Sequence, residues 1–179
     1  GLGAEAGTAL TAHPGIRHIS FTGSVATGRK VQAAAAENAV PVTLELGGKS
    51  PQLVFADADL EAALPYLVNA GIQNAGQTCS ASSRILVERA IYPQVCAAMA
   101  EAYRALTVAP AMADGRVGPL VSARQKGIVE RYLAMAQPDQ ILARGHLADA
   151  LPEGGHCIAP ALIAGPGPDH PLAQDEIFG

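Results

Sequence analysis

The chain has 179 residues and a mass of 18.2 kDa, with 49% hydrophobic residues, a formal charge of −4 and a sequence pI ≈ 5.7. That is enough apolar content for the core of one domain or parts of two, and the scattered lysines and arginines form no basic stripe, which excludes a phosphate-backbone binder and leaves nucleic acid without a docking face. No long apolar run offers a membrane span, no charged segment leads an apolar one as in a secretory signal, and three widely spaced cysteines without Cys-x-x-Cys argue against disulfides and thiolate zinc, so a soluble cytoplasmic protein with reduced thiols is expected.

In chain order, Gly1-x-Gly3-x-x-x-Gly7 leads into an alanine-rich helix, and Ile16–Phe21 reads as a strand closed by a Thr22-Gly23-Ser24 turn. A helix runs through Gly28 to Ala36, favoured by four successive alanines. Pro41–Leu46 is a second strand, ended by Gly47-Gly48, and Gln52–Phe55 a third, ended by Asp57-Ala58-Asp59. Asp59 is placed to cap a helix starting at Leu60, because its carboxylate can accept from an unpaired first-turn N–H. Arg84–Glu88 is a fourth strand, and Tyr92–Leu106 a helix with Cys96, Met99, Tyr103 and Leu106 near one stripe. Ser122 with Gln125 resembles a capping box before a helix reaching about Ala136, and short strands are expected at Gln140–Ala143 and Cys157–Ile163. Strand-length runs alternating with helical stretches predict an α/β protein with a largely parallel sheet. A hinge is expected near Gly47-Gly48, dividing the chain into residues 1–46 and 47–179. The glycine-rich opening and the end directly after Ile177-Phe178 read as those of a fragment.

Gly23-Ser24-x-x-x-Gly28 falls where a strand turns into a helix, a place where unpaired N–H groups at the positive helix end suit a pyrophosphate. Tight turns are the plainer explanation of the same glycines, and both readings stay open. Gly47-Gly48-Lys49-Ser50 is not a nucleotide-triphosphate loop, because that motif needs glycine where Thr43 stands. A short-chain reductase needs lysine four residues after a tyrosine, and Tyr66, Tyr92, Tyr103 and Tyr132 are followed there by Ala70, Cys96, Thr107 and Ala136.

Cys79 lies in the small, polar segment Gly76-Gln77-Thr78-Cys79-Ser80-Ala81-Ser82-Ser83-Arg84, which offers neither a helical stripe nor a strand alternation to bury it. A cysteine so placed is a candidate nucleophile, since exposure beside backbone N–H groups favours the reactive thiolate. Cys96 on its stripe and Cys157 in a strand-like run read as core residues. Glu45, between Leu44 and Leu46 at a strand end, is a carboxylate beside a flexible turn, or alternatively a plain surface residue of an edge strand. The five histidines share no ligand-like spacing with one another or with carboxylates, and no metal is expected.

Phe21-Thr22-Gly23-Ser24, Leu44-Glu45-Leu46-Gly47-Gly48-Lys49-Ser50-Pro51, Asn74-x-Gly76-Gln77-x-Cys79 and Glu176-Ile177-Phe178-Gly179 follow one another in an order that resembles the aldehyde dehydrogenases from end to end. The resemblance implies the fold of that family, with residues 1–46 as the C-terminal part of a dinucleotide-binding domain and 47–179 as a truncated catalytic domain. It implies Cys79 as nucleophile and Glu45 as general base, with NAD or NADP as cofactor and a small aldehyde as substrate. Gly23, Ser24 and Gly28 would approach the pyrophosphate, Gly3 and Gly7 would line the adenosine side, Leu46 would touch the nicotinamide through its backbone, and Glu176 would bind the nicotinamide ribose with Phe178 packed nearby. Asp175 stands where a glutamate is frequent. A homodimer or homotetramer is implied for the parent protein, whose oxyanion-site asparagine, ribose-holding lysine and oligomerisation arm would lie outside these residues. Two other readings are a non-catalytic relative of the same fold and a cysteine hydrolase, which would need a histidine partner for Cys79.

Overall fold

Parallel strands cannot be joined by a tight turn, so a helix must carry the chain from one to the next, and the first half-hundred residues show that arrangement. In the computed structural model, which describes residues 1–113 and 115–179, β1 (Ile19–Gly23) and β2 (Val42–Leu46) pair in parallel, with Thr22 opposite Glu45 and Gly23 opposite Leu46. The crossover is α2 (Val25–Glu37), capped by Ser24, whose Oγ accepts from the Thr27 N–H at 3.3 Å. Gly28, Val31 and Ala35 form its buried stripe, and Ala35 is only 1% exposed. A helical turn at Gly3–Gly7 and the short α1 (Thr8–Thr11) precede this βαβ element. Together they make a compact unit, Gly1–Gly47.

Strand β1 begins at Ile19 instead of Ile16, because Pro14-Gly15 folds into a turn in which the Gly15 N–H bonds His13 Nδ1 and the Ile16 N–H bonds the His13 carbonyl. It then runs on through Gly23, so that residues expected in a turn are paired. The end of α2 is a Schellman closure in which the Val40 N–H bonds the Ala35 carbonyl at 3.0 Å and the Ala39 N–H that of Ala36 at 3.1 Å. Ala39 holds the left-handed position usually given to glycine, at φ 52°.

The second unit, Gly48–Gly179, carries the larger core. Strands β3 (Pro51–Val54) and β4 (Arg84–Val87) pair in parallel, as do β5 (Thr107–Val108) and β7 (His146–Leu147). Strands β6 (Ile141–Arg144) and β8 (Ala161–Ile163) are antiparallel, an exception to the parallel expectation. Helices α3 (Leu60–Ile72) and α4 (Tyr92–Arg104) pack on one another and supply Leu67, Val68, Ile72, Val95, Met99 and Tyr103 to the core. The Asp59 side chain accepts from the Ala62 N–H at 3.1 Å, the cap expected from sequence. Cys157 is buried, whereas Cys96 is only partly so. Strand β8 starts four residues late, since Pro160 has no N–H for a ladder.

Helix α5 (Ala123–Leu133) is capped by Ser122, whose Oγ accepts from the Gln125 N–H at 3.2 Å, and the chain tapers through two further turn bonds to Ala136. A last short helix, α6 (Pro171–Gln174), precedes the C-terminal segment. Among the described residues no helix is long and apolar enough to cross a membrane, and no group of three or more His, Cys, Asp or Glu is poised to hold a metal.

Two stability measurements probe these units. Ala39→Gly should raise the resistance of the first unit to urea by up to about 1 kcal/mol, since it removes the left-handed strain of a side-chain-bearing residue. Met99→Ala, at a site 2% exposed, should lower that of the second by about 2–5 kcal/mol. Unchanged midpoints in either case would contradict the packing described.

Candidate active site

Helix α3 does not simply stop; it leaves through three consecutive left-handed residues, Asn74 (φ 52°), Ala75 (φ 56°) and Gly76 (φ 78°). For Asn74 and Ala75 this conformation costs about 1–2 kcal/mol each, and such strain persists only where surroundings hold it. Here the Asn74 amide donates to the Gln77 carbonyl and the Gln77 amide donates back to the Asn74 carbonyl, both at 3.0 Å. Gln77 Oε1 also accepts from the Val121 N–H at 2.9 Å, tying the turn to the approach to α5. At Gly76 a side chain would have no space, because a Cβ would stand 2.8 Å from the Gly179 carbonyl carbon.

Two residues beyond this clasp, Cys79 sits exposed in a turn. Its carbonyl accepts from Ser50 Oγ at 3.5 Å, and the segment is closed by Ala81 N–H to Thr78 carbonyl and Ser82 N–H to Ala70 carbonyl, each at 2.9 Å. The Cys79 N–H has no hydrogen-bond partner among the described residues. No hydrogen bond joins the Cys79 thiol to a histidine among the described residues.

The C-terminal segment is brought against this loop. Helix α5 grips it with two side chains one heptad apart. Gln125 Nε2 donates to the carbonyls of Ile177 and Phe178 at 2.8 and 2.9 Å, and Tyr132 Oη donates to Asp175 Oδ2 at 2.9 Å. Gln125 therefore does not complete the reciprocal capping box expected of it; its amide is spent on the segment 52 and 53 residues away. That grip holds Phe178 at φ 63°. Glu176, half-buried, and Phe178 line a cleft of about 740 Å³ together with Gly76, Thr78, Ala81 and Arg84. Cys79 lies beside this cleft in sequence but does not line it. On the same side, burial and the neighbouring Arg84 cation push the Lys49 ammonium below its ordinary range, opposed by the Asp175 carboxylate.

In the first unit Gly23, Ser24, Gly28, Glu45 and Leu46 converge where β1 and β2 end and α2 begins. Glu45 is exposed on β2. Gly28 packs against Leu46, and a Cβ there would approach Leu46 Cδ2 to 2.8 Å. The Val25 and Ala26 N–H groups at the start of α2 have no partner among the described residues. Gly3 is exposed and Gly7 partly buried on the opening helical turn, with nothing within 4 Å of a Cβ built on either.

The sequence model of the aldehyde dehydrogenase family matches residues 1–179. The chain belongs to the aldehyde dehydrogenase family. Its curated relatives include 2-aminomuconic 6-semialdehyde dehydrogenase of a Pseudomonas species, 38% identical over 98% of the chain and 37% of that protein. Among solved structures, a Burkholderia cenocepacia protein assigned as an aldehyde dehydrogenase is 57% identical with a TM-score of 0.96, covering all of the chain and 38% of its own. Betaine aldehyde dehydrogenase of Staphylococcus aureus, crystallised with NAD+, is 33% identical with a TM-score of 0.92, over all of the chain and 36% of its own. The chain thus spans somewhat more than a third of the length of these dehydrogenases.

Sequence reasoning missed the supporting residues. Gln125 carried a signal, the capping-box spacing, but it pointed to a local partner. Tyr132 and Arg84 carried none, because their partners are 43 and 89 residues away in the chain. Gly76→Ala should destabilise the second unit by more than about 1 kcal/mol, from the positive φ alone, and slow alkylation of Cys79 by iodoacetamide. An unaltered alkylation rate together with unaltered stability would show that the turn does not set the position of Cys79.

Proposed function

We propose that these residues are the end of the dinucleotide-binding domain (1–46) and much of the catalytic domain (47–179) of an NAD(P)-dependent aldehyde dehydrogenase that hydrolyses its acyl intermediate to a carboxylic acid. The observation that carries this reading is the clasped left-handed turn that presents Cys79 with its own N–H unpaired, in a chain of this family.

The first unit fits a dinucleotide by its donor set. Val25 and Ala26 N–H groups at the positive end of a 13-residue helix have no partner among the described residues, a place where a pyrophosphate is stabilised, and Gly23, Ser24 and Gly28 flank that end. Leu46 offers backbone to the nicotinamide, Gly3 and Gly7 leave room beside the adenosine, and the Glu176 carboxylate accepts from the hydroxyls of the nicotinamide ribose, with Phe178 as its apolar neighbour. The bound nicotinamide supplies a hydride acceptor.

In the chemistry assigned to the chain, the Cys79 thiolate adds to the aldehyde carbon and the resulting oxyanion is held by the Cys79 N–H. Loss of hydride from the thiohemiacetal leaves a thioester on Cys79. Glu45 then takes a proton from water, which attacks the thioester carbonyl and releases the acid and the free thiol. Among the described residues no histidine hydrogen-bonds the Cys79 thiol, so the cysteine-hydrolase reading lacks the partner it needs. The substrate class is a small aldehyde, and the resemblance extends to a cytoplasmic homodimer or homotetramer.

The test is aldehyde-dependent formation of NADH or NADPH by a full-length polypeptide carrying these residues, assayed with betaine aldehyde, semialdehydes and simple aliphatic aldehydes. Cys79→Ala should abolish it. Glu45→Gln should leave a burst of reduced cofactor followed by a steady rate lower by about 10²-fold or more, with the acyl group retained on the protein. Aldehyde oxidation surviving in Cys79→Ala would remove the covalent route, and a steady rate unchanged in Glu45→Gln would remove Glu45 as base.

A further inference from the structure

We propose that Arg84 is a positioning residue that couples the Glu176 segment to the Cys79 loop, and through Glu176 sets the affinity for the cofactor. The proposal rests on the ribose-binding role given to Glu176 above. Arg84 opens β4 only five residues after Cys79, opposite Pro51 in the ladder. Its guanidinium reaches in two directions. Nη2 donates to the Lys49 carbonyl at 3.1 Å and Nη1 to the Ala173 carbonyl at 3.3 Å. Lys49 adjoins Ser50, whose hydroxyl reaches back to the Cys79 carbonyl, while Ala173 lies in α6, three residues before Glu176. One planar fork thus closes a loop of contacts from the nucleophile's turn to the carboxylate's segment.

The position is costly to occupy. Arg84 is partly buried, and its Nε is shut off from solvent with no hydrogen-bond partner among the described residues. A buried unpaired N–H on a charged group is unfavourable, so a residue there for packing alone would be better apolar. Lysine would keep the charge, but a single ammonium on a flexible stem does not reproduce the rigid two-way fork. Gln125 and Tyr132 fasten the same segment to α5 and Gly179 packs against Gly76, while Arg84 adds directed hydrogen bonds from the strand that follows the cysteine loop.

A double-mutant cycle in a full-length polypeptide carrying these residues tests this, with Glu176→Gln, Arg84→Lys and the pair, Arg84→Gln replacing the lysine form if that does not fold. The cofactor KM is read at saturating aldehyde, and iodoacetamide alkylation of Cys79 is read without cofactor. Each single variant should raise the cofactor KM about tenfold, and the pair no further than Glu176→Gln alone, because residues acting through one group are not additive. Alkylation should stay within about twofold of the parent and kcat should fall by less than KM rises. Additive effects, a KM unaltered in a folded Arg84 variant, or alkylation lost in step with KM would overturn the proposal. If Glu176→Gln by itself leaves KM unaltered, the ribose assignment falls first and the proposal with it.

Discussion

Everything at the cysteine depends on a turn that the chain adopts against its own preference. Asn74 and Ala75 stand in the left-handed region ahead of Gly76, and two of these three carry side chains that disfavour it. The strain is offset by side-chain amides used as if they were backbone, with Asn74 and Gln77 exchanging hydrogen bonds and Gln77 reaching on to Val121. The following Cys79 lies on the surface, and its N–H has no hydrogen-bond partner among the described residues. A reactive thiol needs that combination of exposure and fixed geometry, and a cysteine on a regular helix or strand would have its N–H committed to the ladder.

The C-terminal segment shows the same logic. Glu176 and Phe178 lie in no strand or helix, so their position has to come from side chains elsewhere. Gln125 and Tyr132 provide it from a single face of α5, and Arg84 from β4. A segment held by several directed bonds to separate elements can fix the position of a carboxylate without being part of the sheet. In the first unit the arrangement is of the opposite kind, with the turn after β1 set by secondary structure alone. Strand pairing aligns Gly23 with Leu46, the Ser24 cap starts α2, and the absence of a side chain at Gly28 lets Leu46 pack against the helix.

Much of this was legible in the residues. The βαβ crossover, the Asp59 and Ser122 caps, helix α4 and the exposed Cys79 follow from periodicity, alanine content and capping chemistry, all of which act over a few residues. The shifts at β1 and β8 came from Pro14-Gly15 and Pro160, whose local geometry displaced strand ends without changing which strands exist. The antiparallel β6 and β8 pair was not foreseen because two short apolar runs carry no mark of their relative direction, and Cys96 proved less buried than its stripe suggested.

The longer helices, the main strands and the family motifs were therefore legible in the linear chain, since each rests on interactions between residues close in sequence, whereas β5, β7 and α6 were not. Only the folded structure decided what Gln125, Tyr132 and Arg84 do. Their long-range hydrogen bonds span 35 to 89 residues, and a side chain whose local partner is as plausible as its distant one can be assigned only when packing has brought the distant one within 3 Å or so. Gln125 is the clearest case: the local capping signal was chemically sound, and the carbonyls of Ile177 and Phe178, left unpaired by an irregular segment, were the stronger demand on its amide.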